Sequence, residues 1–392
     1  MIDPSCSRHR AILIAASLLA VSATTALAKP ETGAFVVRLG HDTTSVERYT
    51  RDGAVTTVEQ VGRAPRTLAR TFKYTFTNDV LSAISLIVLP PGSTTPTQTI
   101  EATLGDSLRA KLQNAGGNPP QDLRLMLPVG TLVVFTSSPW VQYERASAAL
   151  WKSKADTLGG PLYLFGSAGV ERYRFRKLAK DSLEITNTHG DHYRMQVDKQ
   201  GRFLGSVAIA GTAKFAIERH ATLDVPGLGA AFLAREKSGA GVGPLSPRDS
   251  VKVVVAGAAL YVDYSRPAKR ERVVYGGIVP YGEVWRTGAN AATQFRTDHT
   301  LVIGGQTLPA GFYTLWTVPT AGGWKFIVNS DTGQWGTAHD AKKDLFAVDM
   351  QMSALPDIVE RFTIAIMPSD AGGTLNLDWD RTRASIAFSV QP

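Results

Sequence analysis

Thr374-Leu-Asn-Leu-Asp-Trp-Asp380 and Arg383-Ala-Ser-Ile-Ala-Phe-Ser-Val390 decide the fold of the C-terminal half. In the first run, Leu375, Leu377 and Trp379 alternate with Thr374, Asn376 and Asp378. In the second, Ala384, Ile386, Phe388 and Val390 alternate with Arg383, Ser385, Ala387 and Ser389. Successive side chains of a strand point to opposite faces, so each run buries one face and wets the other, as antiparallel strands of a sandwich do. Similar runs occupy 250–255, 259–264, 312–318, 324–328 and 362–367. Gly304-Gly305, Ala321-Gly-Gly323 and Asp370-Ala-Gly-Gly373 punctuate them as turns. About eight to ten short strands predict a β-sandwich or jelly roll over residues 248–392.

The front half, 29–225, has another rhythm. Phe35, Val37 and Leu39 begin a strand, and 68–89 reads as two long strands broken at Asn78-Asp79. Residues 170–222 read as a meander with turns at Ala179-Lys-Asp181, His189-Gly-Asp191 and Asp198-Lys-Gln-Gly201. A helix is expected over 142–153, with Tyr143, Ala146, Leu150 and Trp151 on one face, and a shorter one over 105–112. The chain is thus mainly β, and the front half is a curved antiparallel sheet, half-barrel-like, with one or two short helices. Exported lipid carriers use that shape, which makes a lipid the expected partner of this sheet by analogy of shape alone. Residues 226–247 form a Gly/Pro-rich linker with a short helix at 230–236. Its Gly239-Ala-Gly-Val-Gly243 lacks the spacing and following helix of a phosphate loop.

The chain has 392 residues, a net charge of +8 and one cysteine, Cys6. Arg8, His9 and Arg10 precede an apolar run at 11–23, and Ala26-Leu27-Ala28 offers a cleavage site before Lys29. That order is a secretory signal peptide over 1–28, cleaved after Ala28, so the protein is expected to be periplasmic or extracellular. An uncleaved anchor is the competing reading, but the run is shorter than the roughly 20 residues a span needs, and no transmembrane span is expected. Beyond the signal there is no thiol, hence no disulfide and no Cys-ligated metal. The basic charge is dispersed, with no concentrated stripe or module for nucleic acid, so no nucleic-acid partner is expected. No cofactor motif is present and no cofactor is expected. No metal is expected either. His189-Gly-Asp-His192 is the one close histidine pair, and Gly-Asp there reads as a hairpin turn.

No G-x-S-x-G, H-E-x-x-H or cysteine nucleophile marks a hydrolase. Arg172, Arg174 and Arg176 lie at period two, a solvated cationic face or one drawn to head groups. The chemistry concentrates instead between Tyr261 and Trp316. Arg266, Lys269, Arg270 and Arg272 cluster within seven residues. They suit a carboxylate, sulfate or phosphate unless Glu271 and Asp263 neutralise them. In Trp285-Arg-Thr-Gly-Ala-Asn290, Trp285 offers a flat apolar face and Arg286 several donors, while Gly288 and Asn290 tolerate positive φ. The candidate ligand-binding residues are Asp263, Arg266, Trp285, Arg286 and Asn290, facing a polar small molecule or glycan. The structural alternative has Trp285 plugging the sandwich end and Arg286 paired with an acid such as Asp263. His339 reads as a polar loop residue.

Ser246-Pro-Arg, Val262-Asp-Tyr-Ser-Arg-Pro267, Val279-Pro-Tyr-Gly, Trp285-Arg-Thr-Gly-Ala-Asn290, Pro309-Ala-Gly-x-Tyr-x-Leu315, Trp324-x-x-Ile-x-Asn329 and Trp335-Gly336 follow in order. This series resembles the bacterial family called domain of unknown function 2911, over about 245–390. The resemblance implies an exported all-β domain and no particular activity. It departs from the family pattern at Ala291, where a glutamate is usual, and at His339, where a tyrosine is common. The front half resembles no family securely. The expected function is that of an exported envelope protein, a ligand- or partner-binding two-domain β protein. The alternatives are an envelope hydrolase using Asp263, Glu283 or His339, and a structural envelope component.

Overall fold

A computed structural model describes residues 29–391 except 138, 168, 189, 212 and 213. The signal-like segment and His189 lie outside the described residues. The front strands are β1 (Glu31–Leu39), β2 (Asp42–Asp52), β3 (Val55–Gly62), β4 (Leu68–Thr77), β5 (Val80–Leu89), β6 (Gln98–Leu104), β7 (Leu108–Asn114), β8 (Gln121–Leu125), β9 (Leu132–Val134), β10 (Thr157–Leu164), β11 (Glu171–Ala179), β12 (Ser182–Asn187), β13 (His192–Val197), β14 (Phe203–Ala210) and β15 (Ala216–His220). The back strands are β16 (Arg248–Val255), β17 (Ala258–Ser265), β18 (Thr293–Thr297), β19 (Leu301–Ile303), β20 (Gln306–Leu308), β21 (Gly311–Thr320), β22 (Gly323–Asn329), β23 (Asp344–Ser369) and β24 (Gly372–Val390). Helices α1 (Val141–Lys152) and α2 (Val225–Lys237) and a single 3-10 turn (Ala341–Lys343) complete the described elements. Among the described residues no helix is long and apolar enough to cross a membrane.

The front half is one open 15-stranded sheet made of two antiparallel meanders, β1–β8 and β10–β15, joined where β1 pairs antiparallel with β15, with β9 added in parallel to β10 across the α1 crossover. Asn78 and Asp79, both at positive φ, make the tight β4–β5 turn that the sequence marked. The sheet curls until distant strands share one core. Phe72 of β4 meets Phe135, which stacks on Phe165 just after β10. Residues 105–112, expected as a helix, instead turn at Gly105 and enter β7. Leu108 and Ala110 are buried there while Arg109 and Lys111 are exposed, a period of two that overrides the local helix pattern.

Helix α1 lies against this core, where the sequence places a helix. Its buried face is more polar than expected: Gln142, Glu144 and Ser147 are buried beside Val141 and Leu150. The Glu144 carboxylate accepts from Phe203 N (2.9 Å), Tyr49 Oη (3.2 Å), Arg51 and Arg219, which supplies both charges and donors to a buried anion. Glu47 of β2 accepts from Trp140 N at 2.8 Å and so caps the helix entrance. Helix α2 is longer than the linker helix expected at 230–236. It packs Val225 and Phe232 against Val36, Val46 and Val61, on the opposite face of β1–β3.

The back half is a nine-stranded sheet folded on itself, ordered β16-β17-β18-β21-β22-β23-β24-β19-β20. Strand β23 has 26 residues and its register against β24 shifts on either side of Val359. Its early part pairs with β22 and its later part with β24, so one bent strand serves both layers. Leu260, Phe295, Leu315 and Phe326 of one layer pack on Ile364, Leu377, Ile386 and Phe388 of the other. That is the sandwich the alternation calls for, though β23 and β24 are far longer than the short strands expected.

The two sheets touch through named contacts. Arg270 pairs with Asp42, Lys214 Nζ donates to Ile278 O at 2.7 Å, and His41 lies 3.8 Å from Glu271. Gly40, at φ 61°, passes so close to the Arg270 carbonyl that a Cβ there would collide with it.

Candidate functional site

The site grows out of the long connection between β17 and β18. Trp285 is pinned to β21 by a reciprocal backbone pair with Thr317, at 2.7 and 2.9 Å. Its ring stacks on Trp379 and meets the edges of Phe362 and Trp324, and Nε1 donates to Gly288 O at 3.0 Å. Just beyond it the backbone doubles back through Thr287 (φ 51°) and Asn290 (φ 60°). A β-branched residue at positive φ is strained. Thr287 is held there by full burial, by its hydroxyl to Thr317 Oγ1 (3.3 Å) and by Thr293 Oγ1 donating to its carbonyl (2.6 Å). Between these fixed points Arg286 leaves the loop. Its Nη1 donates to Asn290 O at 3.3 Å. Its stem lies across Gly336, where a Cβ would collide with Arg286 Cδ, and Gly336 N bonds Asn290 O at 3.0 Å.

Residues 246–388 match the family described as Protein of unknown function (DUF2911). No family model matches the N-terminal region. The Trp285–Asn290 loop and Trp335-Gly336 both fall within the DUF2911 part, and the geometry gives a reason for their coexistence, since the glycine makes room for the arginine. No curated protein matches the chain. Among solved structures, the crystal structure of a beta-barrel-like protein of domain of unknown function DUF1849 from Brucella abortus is 10% identical. It covers 49% of this chain and 95% of its own, with a TM-score of 0.32. A DNA polymerase III subunit beta DnaN sliding clamp from Bartonella birtlesii is 8% identical, with 91% and 92% covered and a TM-score of 0.09.

The DUF2911 loop does not stand alone. Trp285, Arg286 and Asn290 line a cavity of about 370 Å³ between the two sheets, within the range of about 300–1,000 Å³ typical of ligand pockets. Leu39 and Phe215 of the front half, Leu245 of the connecting segment and Ile278 of the DUF2911 part supply apolar wall. Two further cations reach it. Lys214, between β14 and β15, spends one donor on Ile278 O. Arg272 gives Nε to Lys269 O at 3.0 Å and Nη2 to Ala268 O at 2.7 Å. Among the described residues none of the three forms an ion pair, and every hydrogen bond they make ends on a backbone carbonyl. Burial pushes Arg286 down to about 10, with Asp191 acting in opposition beyond ion-pair distance. Burial and then Arg270 push Arg272 to about 10, against Glu360. Burial, then Arg286 and Arg272, lower Lys214. The cavity therefore has a wall of partly buried positive charge, on which Asp191 and Glu360 act only from beyond ion-pair distance.

Asp263 and Arg266 lie outside this cavity. Asp263 takes a two-pronged bond from Arg248 on the strand next door, so it is not the acid that partners Arg286. Arg266 is committed to Asp249 (2.9 Å), Thr363 Oγ1 (2.7 Å) and Phe362 O (3.1 Å). The basic cluster is neutralised as expected in principle, but by other acids. Lys269 takes Asp380 and Arg270 takes Asp42, which leaves Arg272 as the remainder. Glu283 is exposed in its turn, and His339 bonds Asp344 at 2.9 Å against the Trp316 ring. Neither lines the cavity, and no aspartate, glutamate or histidine is among its described lining residues. Lys214 sits in no motif, and the spatial role of Gly336 leaves no mark in local pattern.

Proposed function

We propose that the chain is an exported two-domain β protein, with domains at 29–225 and 248–392, that binds a small anionic molecule in the cavity between them. The observation that carries this reading is Arg286, a largely desolvated guanidinium on the cavity wall whose hydrogen bond goes to the Asn290 carbonyl and to no carboxylate. A buried charge without a partner is costly, and an incoming anion removes that cost. Trp285 supplies the apolar face against which the rest of such a molecule rests. The export part rests on the Arg8–Ala28 segment.

Trp285 also supplies the readout. Titration of the chain from Lys29 onward with aromatic carboxylates, sulfonates and phosphates should give a saturable change in tryptophan fluorescence for at least one of them. Arg286→Met should weaken that binding roughly tenfold to a hundredfold, the equivalent of a lost charged hydrogen bond. Gly336→Ala, which displaces the stem and keeps the charge, should weaken it less. A flat response across the panel, or unchanged binding by Arg286→Met, would sink the reading.

A further inference from the structure

We infer that the anionic group this cavity accepts is a phosphate monoester, carried on an apolar or ring-bearing remainder. The inference rests on the anion-binding reading above and narrows it. Its first support is the number of charges. Lys214 comes from the front sheet, while Arg272 and Arg286 come from opposite ends of the β17–β18 connection. Asp191, packed behind the lining residue Gly211, offsets part of the Arg286 charge. A monocarboxylate added to it still leaves net positive charge on a cavity with apolar walls. A phosphate monoester carries about −1.5 to −2 at neutral pH, closer to what three cations demand.

The second support is the supply of donors. Together the three side chains spend four hydrogen bonds on backbone carbonyls. A lysine has three donors and an arginine five, so most of theirs remain free. A carboxylate presents two oxygens, whereas a phosphate monoester presents three strong acceptors in a tetrahedral arrangement that donors can approach from several directions. Donors that arrive from three separate segments match the second shape better. The third support is the remaining wall: Leu245, Ile278 and Trp285 line the same space, so the phosphate has an apolar neighbour to accommodate.

The test is calorimetry on the chain from Lys29 onward with phenyl phosphate, phenyl sulfate and phenylacetate. A companion flotation assay uses phosphatidylcholine vesicles with and without phosphatidic acid. Phenyl phosphate is expected to bind at least tenfold more tightly than phenylacetate. That advantage should shrink as pH falls from 8 to 5, through the ester's second ionisation near about 6. Phenyl sulfate, without that ionisation, should show no such step. Lys214→Gln and, separately, Arg272→Gln should each weaken phenyl phosphate more than phenylacetate, so that the ratio of the two affinities falls at least threefold. The two variants guard against one of them failing to fold. Flotation with phosphatidic acid that phenyl phosphate competes away assigns the ester to a lipid headgroup, and phenyl phosphate binding without flotation assigns it to a soluble ester. Phenylacetate binding as tight as phenyl phosphate would overturn the inference and leave the anion reading intact. Binding of none of these would overturn both.

Discussion

Glu144, inside the front sheet, is fully out of water, and Arg286, where the two sheets meet, is partly so. The protein treats them in opposite ways. Around Glu144, two arginines, a tyrosine and a backbone N–H converge on one carboxylate. Around Arg286, Arg272 and Lys214, the acceptors are carbonyl oxygens and the charges repel. The first arrangement fastens a helix to a sheet. The second joins the sheets through the Lys214–Ile278 bond but keeps an electrostatic cost that a better-paired loop would avoid, and costs of this kind collect at functional sites.

The contrast is easiest to break at Glu144. Glu144→Gln strands Arg219 and Arg51 beside a neutral amide. It should lower stability by about 3–5 kcal/mol, the usual penalty for breaking a buried pair from one side. Urea unfolding followed by far-UV circular dichroism measures this, and a loss under about 1 kcal/mol would mean the cluster is not holding α1.

A middle case is Glu47, a fully buried carboxylate whose partners are donors without charge: Gln60 Nε2 at 3.2 Å and Trp140 N at 2.8 Å. Burial pushes it up to about 7 from 4.5, against those hydrogen bonds. Between those two pH values the folded chain holds a proton that the unfolded chain has released, so stability falls as pH rises through this window. Glu47→Gln lacks the proton to lose. The unfolding midpoint of the variant should therefore gain on the unsubstituted chain from pH 4.5 to 7, by the equivalent of about 3 kcal/mol at most. A gap that stays constant with pH contradicts this.

The smallest effect on stability is expected at Arg286. Arg286→Met removes an unpaired cation and keeps most of the stem volume, so the unfolding free energy should change by less than about 1 kcal/mol or rise. Set beside a large loss of binding, that result would separate the open cluster from the closed one. A loss as large as that of Glu144→Gln would make Arg286 a structural residue.

The sequence showed the strands more clearly than the site. Alternation at Leu375–Trp379 and Ala384–Val390 announced two strands, since burial on one face leaves its mark every second residue. At 105–112 the same mark was there in Leu108, Ala110 and Leu112 but was too short to outweigh helix-forming composition. That β23 would bend and serve two layers depends on long-range register, which local pattern does not encode. Trp285, Arg286 and Asn290 reach the cavity together because one loop carries all three. Asp263 and Arg266 are near them in sequence, but strand pairing carries Asp263 to Arg248 and loop packing carries Arg266 to Asp249, which local pattern does not encode. Lys214 joins the cavity only through the packing of one sheet on the other.

The place of β1 in the front sheet has a consequence in time. Its residues 34–38 pair with 216–220, so the first strand of the sheet to be synthesised has one flank waiting for the last. At about 5–20 residues per second, that wait lasts on the order of ten seconds or more. Throughout it, Ala34-Phe-Val-Val-Arg38 presents unfilled backbone groups to anything nearby. Arrival of β15 therefore closes an edge that until then is open to chaperones, and to other copies of the chain.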